Sequence, residues 1–98
     1  MSGSEPPNYE VRLRSRRVQR ELDALYEPER RRVLEVLRAL AGEPRPSGCK
    51  KLYDNVHRIR VGPWRIIYLI DEVNRRIDIG GIRRRSEGTY RGIEDLFP

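Results

Sequence analysis

The sequence has one cysteine, Cys49, and one histidine, His57. A lone thiol closes no internal disulfide, and between Gly48 and Lys50 it has no second soft ligand with which to build a metal site, so no metal and no cofactor are expected. A cytoplasmic protein is the simplest reading. Long apolar runs are missing too. None approaches the roughly 18 residues of a membrane span, and the opening MSGSEPPN has neither the basic end nor the apolar middle of an export signal. The expectation is a soluble chain with no membrane partner. Internal repeats and a phosphate-cradling glycine motif are also lacking, and 98 residues suffice for one core only.

Lysine is nearly absent. Of 21 basic residues all but Lys50 and Lys51 are arginine, against 15 acids, for a net charge of +6. Arginine stays protonated and offers a planar fork that matches phosphate oxygens, so this bias favours a polyanionic partner. RNA, DNA, an acidic protein segment and an anionic membrane surface all fit at this stage.

Residues 1–8 carry no apolar period and read as a flexible lead before a single domain over 9–98. Tyr9, Val11 and Leu13 alternate with charged residues, the pattern of a strand with one buried face. Ser15 suits an N-cap before a short helix carrying Val18, Leu22 and Leu25. Pro28 suits the first position of a second helix, whose stripe Val33, Leu34, Leu37, Leu40 and Ala41 ends at Gly42 and Pro44. A short connection makes the pair an antiparallel hairpin. After the loop GEPRPSG the period changes to two, predicting strands over 50–53, 56–61, 64–70 and 76–80 with turns at Asp54-Asn55, Gly62-Pro63 and 71–74. The fold class is α+β: an N-terminal strand, a two-helix hairpin, then a three- to four-stranded curved antiparallel sheet with the helices on one face. The tail IEDLF fits either a helical turn or an extended arm.

If Gly62-Pro63 is a two-residue hairpin turn, Val61 pairs with Trp64, Arg60 with Arg65, Ile59 with Ile66 and Arg58 with Ile67. Alternation then puts Ile59, Val61, Trp64, Ile66, Tyr68 and Ile70 on the core face and Arg58, Arg60 and Arg65 on the other. Like charges directly across a strand pair are unfavourable by a fraction of about 1 kcal/mol, and no acid alternates with them. One outcome is a solvated face whose arginine stems cover Ile67 and Leu69. The other is an anion site, to which the run Arg83-Arg84-Arg85 would add its charge. His57 falls with the core residues, and the helix carboxylates Glu21, Asp23, Glu27 and Glu29 suit intrahelical pairs with arginine.

Over about residues 9–90 these segments together resemble the RelE/ParE superfamily of bacterial and archaeal toxins: RRRVLEVLRALAGEPRP, GCKKL, HRIRVGPWRIIYLID and a last strand ending in RRRSEGTY. The resemblance implies a small RelE-like toxin of a type II toxin–antitoxin system, paired with a cognate antitoxin. The RelE-like branch is an mRNA interferase, a ribosome-dependent endoribonuclease that cuts messenger RNA in the ribosomal A site without metal. There the 2′-hydroxyl attacks the adjacent phosphate. The ParE-like branch instead poisons DNA gyrase and generally lacks the complete nuclease set. An inactive relative that only binds its antitoxin is a third possibility.

Carried over by position, the family's two middle-strand lysines match Arg58 and Arg60, the next strand's arginine matches Arg65, the arginine after the last strand matches Arg84 with Arg83 as the one-residue alternative, and the closing tyrosine matches Tyr90. The resemblance makes Arg58, Arg60, Arg65, Arg84 and Tyr90 the catalytic set, and Lys50, Lys51, Arg83 and Arg85 contacts to messenger or ribosomal RNA. Arginine in place of lysine is a departure. Its pKa above about 12 makes it a phosphate holder, not a general base. The histidine that some members carry near the last strand is Ile82 or Arg83 here, which leaves Tyr90 as base or stacking platform and Glu87 as a neighbouring acid or salt-bridge partner.

Overall fold

The computed structural model describes residues 9–85 and 92–97. Along the chain come β1 (Glu10–Leu13), α1 (Arg16–Asp23), α2 (Glu29–Leu40), β2 (Lys50–Tyr53), β3 (Val56–Val61), β4 (Trp64–Asp71), β5 (Arg76–Arg84) and a 3-10 turn, Ile93–Leu96. The strands form one five-stranded sheet in the order β1-β5-β4-β3-β2. Strands β2 to β5 make the expected antiparallel meander. The N-terminal strand completes the sheet by lying parallel to β5, with Val11 opposite Ile77 and Leu13 opposite Ile79.

The boundaries differ from the sequence reading at the start of α2 and at the ends of β4 and β5. Pro28 precedes the first residue of α2 and does not open it, and Ser15 sits at the N-cap of α1 without a side-chain capping bond. Strand β5 runs on past Gly80 to Arg84, because Ile82 continues the buried face and so extends the pairing with β4.

The helices bury one stripe each, Val18 and Leu22 from α1 and Val33, Leu37 and Leu40 from α2. These meet Val61, Ile66, Tyr68, Ile70, Ile77, Ile79 and Ile82, all on one face of the sheet. At its edge the Tyr68 hydroxyl donates to the Pro44 carbonyl at 2.7 Å, which fixes the loop after α2, and burial pushes this phenol well above its usual pKa. The other face has a core of its own. Val56 and Ile67 pack beneath Ile93 and Leu96, flanked by Leu52, Tyr53, Leu69 and Phe97. The tail IEDLF is thus a helical turn seated on the sheet, not an arm. Gly80 admits it, since a Cβ there would fall within the Phe97 ring.

His57 is buried on the helix side and stacks on Tyr68 with ring centroids 5.8 Å apart. Burial holds its pKa below the ordinary 6.5, Arg45 and Lys51 adding to the effect and the Asn55 carbonyl, 3.2 Å from Nδ1, opposing it. Below pH 6.5 the unfolded chain therefore binds a proton that the folded chain refuses. This contribution to stability is complete above that pH and shrinks as the pH falls from it towards the folded value. Urea unfolding between about pH 7.5 and about pH 5 is expected to show a midpoint that drops with acid in the wild type and a flatter profile in His57→Phe. Equal slopes in the two proteins would place the acid sensitivity elsewhere.

Candidate nucleic-acid interface

Gly62 turns the β3–β4 hairpin with φ of 59°, a left-handed value that favours glycine. The pairing that follows is the expected one: Val61 with Trp64, Arg60 with Arg65, Ile59 with Ile66 and Arg58 with Ile67. The neighbouring strands add two cations to the face turned away from the helices. Lys50 of β2 stands opposite Arg58, and Arg83 of β5 stands opposite Arg65. Five cations therefore lie on two adjacent rungs, Lys50–Arg58 and Arg60–Arg65–Arg83. With strands about 4.8 Å apart and two residues along a strand spanning about 7 Å, the row from Arg60 to Arg83 is about 10 Å long.

The five differ in how tightly they are held. Arg58 is 8% exposed and Arg65 5%, unusual burial for arginine. Arg65 Nη1 donates to the Trp64 carbonyl at 3.1 Å and the Gly62 carbonyl at 3.3 Å, which locks the side chain against its own turn. Arg58 Nη1 donates to the Gly48 carbonyl at 3.2 Å. Its Nε is buried and has no hydrogen-bond partner among the described residues. Beside it opens a groove of about 340 Å³ lined by Ser47, Gly48, Arg58, Ile59 and Arg60. Arg60, Lys50 and Arg58 form no ion pair among the described residues, and Asp78, on β5, serves Arg14 and Arg76 instead. Two anchored guanidinium groups and an exposed rim of cations suit an anionic oxygen ligand.

Other candidates lie apart from this cluster. Arg84 is opposite Trp64, on the helix side, with its guanidinium 5.3 Å from the Trp64 ring. The reason is an extra residue in β5: Ile67 faces Gly81 but Tyr68 faces Ile79, so Gly80 bulges and Arg83 takes the place beside Arg65. Lys51 is exposed opposite His57, on the helix side. Arg85 is exposed past the strand end, its amide donating to the Pro63 carbonyl at 2.8 Å. Tyr90 and Glu87 lie outside the described residues. Trp64 and Tyr68 belong to the helix-side core, as their alternation suggested. The sequence reading missed Ser47 and Gly48, whose loop anchors Arg58; the only trace was the Ser-Gly pair just before a strand, a common loop signal.

Comparison with known proteins agrees with this fold. Residues 13–88 match the family model described as the ParE toxin of the type II toxin–antitoxin system parDE. The archaeal RelE–RelB complex from Pyrococcus horikoshii contains a chain similar to this one, with a TM-score of 0.71 and 25% identity over 82% of this chain and 98% of that one. The Mycobacterium tuberculosis toxin–antitoxin complex RelBE2 gives 0.68 and 26% over 80% and 99%. A double mutant of E. coli RelE in the free state gives 0.76 over 93% and 99%; at 14% identity it speaks for the fold alone. No curated protein matches the sequence.

Proposed function

The chain belongs to the ParE toxin family of type II toxin–antitoxin systems, within the RelE/ParE superfamily, and from that premise we propose that it is an endoribonuclease that cuts messenger RNA on the ribosome. Fold alone leaves the target open, because function resides in the site. The observation that carries the reading is Arg58, a buried guanidinium whose Nε meets no acceptor among the described residues, on the wall of a groove shared with Arg60. A buried unpaired donor is costly, and a phosphate oxygen entering the groove satisfies it.

In the proposed reaction the 2′-oxygen of one nucleotide attacks the adjacent phosphorus as the bond to the 5′-oxygen of the next nucleotide breaks. The products are a 2′,3′-cyclic phosphate and a 5′-hydroxyl end. Arg58 and Arg60 hold the backbone, and Arg65 faces the charge that grows on the phosphate oxygens. Arg83, opposite Arg65, takes the role that position matching gave to Arg84. The 2′-hydroxyl proton goes to a base other than arginine, and the leaving 5′-oxygen takes its proton from water. His57 is buried on the opposite face and does not serve. Tyr90, which lies outside the described residues, is the proposed base. With so few proton-transfer groups, positioning of the message in the ribosomal A site supplies much of the rate, and Lys50 and the exposed arginines meet messenger or ribosomal RNA. A cognate antitoxin is the proposed partner, as in the RelE–RelB and RelBE2 complexes.

The family match itself favours a second reading, a poison of DNA gyrase, since the model concerned is that of ParE. Expression in cells with mapping of message ends separates the two. The nuclease reading expects new 5′-hydroxyl ends inside translated regions that vanish when initiation is blocked. Growth arrest with intact messages and double-strand DNA breaks would overturn it in favour of gyrase.

A further inference from the structure

We propose that Glu21 and Arg17 of α1 are positioning residues that decide which arginine of the run Arg83-Arg84-Arg85 joins the cationic face; the inference rests on the reading of Arg83 as a phosphate contact. Strand β1 ends at Leu13, opposite Ile79, and the Arg14 amide makes a last bond to the Ile79 carbonyl at 2.9 Å. Beyond that point the outer edge of β5 has no neighbouring strand among the described residues. Helix α1 replaces it with side chains. Arg17 Nη2 donates to the Gly80 carbonyl at 3.0 Å, and Glu21 Oε1 accepts from the Ile82 amide at 2.9 Å. The two clamping residues are themselves joined, Arg17 Nη1 donating to Glu21 Oε2 at 2.8 Å.

The clamp grips the strand where its register is decided. Gly80 is the additional residue of the bulge, and a sheet has a period of two, so one residue more or less exchanges the faces of everything after it. With Gly80 bulged, Ile82 enters the helix-side core and Arg83 stands opposite Arg65. Were β5 to pair straight on from the Tyr68–Ile79 rung, Ile82 would face Arg65 and Arg83 would fall opposite Trp64 on the helix side. The two bonds fall on either side of Gly81, one to the carbonyl before it and one to the amide after it, and a slip of one residue breaks both. An isolated Arg–Glu pair one helical turn apart would need no strand beside it. Here the carboxylate, with 27% of its side chain exposed, spends its second oxygen on a backbone amide next to a site residue.

The test uses the full chain, nitrogen NMR of the Ile82 amide and the Arg83 Nε, and affinity for a single-stranded oligoribonucleotide. Glu21→Ala is expected to move both resonances and weaken binding about tenfold, the size of one lost buried hydrogen bond. Glu21→Gln keeps an accepting oxygen and is expected to restore affinity to within about twofold. Adding Glu21→Ala to Arg83→Ala should weaken binding no further than Arg83→Ala alone, since both remove the same contact. If Glu21→Ala does not fold, Arg17→Met, which frees the Gly80 carbonyl and Glu21 Oε2 but keeps the acceptor of the Ile82 amide, is expected to move the Arg83 Nε in the same direction. An Arg83 resonance unmoved in the folded variants, or losses that simply add, would overturn the proposal. Failure of the phosphate reading looks different: no protein binds the oligoribonucleotide, wild type included, while the Arg83 Nε still shifts in Glu21→Ala.

Discussion

Arg65→Ala is expected to lower cleavage of translated messages by about 10²–10³-fold, the usual effect of removing one preorganised donor from a developing oxyanion. Arg65 is central to its row, with Arg60 across on β3 and Arg83 across on β5. It is also the most buried cation of the five, pinned by the Trp64 and Gly62 carbonyls before any substrate arrives. A donor already in place costs no reorganisation when charge develops, which is why its loss should exceed that of exposed Arg60. Arg65→Lys keeps the charge but not the planar fork, so it should recover only part of the rate. The turn also loses a donor in Arg65→Ala, so thermal unfolding must accompany the assay. A folded Arg65→Ala that still cleaves at the wild-type rate would remove this residue from the site, and the message-end experiment would then decide whether the class survives.

Local pattern sufficed for the hairpin and not for what lies beyond it. Gly62-Pro63 and the alternation on either side give the β3–β4 register, and with it the separation of Arg58, Arg60 and Arg65 from Ile59, Val61 and Trp64. The helix stripes were equally legible because a 3.6-residue period is written in consecutive residues. The parallel β1–β5 pairing was not, since it joins residues 66 positions apart and leaves no mark in either segment alone. The Gly80 bulge was hidden for a related reason. Gly80-Gly81 reads as a strand end, whereas the groups that contact it, the α1 side chains and the Phe97 ring, are remote in sequence. That concealed bulge is why Arg83, the one-residue alternative, stands opposite Arg65 while Arg84 stands opposite Trp64.

The same remoteness hid the second core, and Ile67→Ala measures it. The sequence leaves Ile67 under arginine stems on a solvated face, where its truncation would cost less than about 1 kcal/mol. In the structure Ile67 is fully buried beneath Ile93 and Leu96, on the rung between Arg58 and Gly81. Truncation there should cost about 2–5 kcal/mol, through lost transfer energy and the cavity left behind, and at about 4–8 °C per kcal/mol the melting temperature should fall steeply. Leu69→Ala, at a half-buried position on the same face, should cost markedly less. Leu96→Ala combined with Ile67→Ala should fall short of the sum, because each variant empties the same contact. An Ile67→Ala protein with near wild-type stability would mean that the C-terminal turn does not cover the sheet. Its effect on the site would then follow as well, because Arg58 is the cross-strand neighbour of Ile67, and a wet floor beneath that guanidinium would screen the charge it offers to a phosphate.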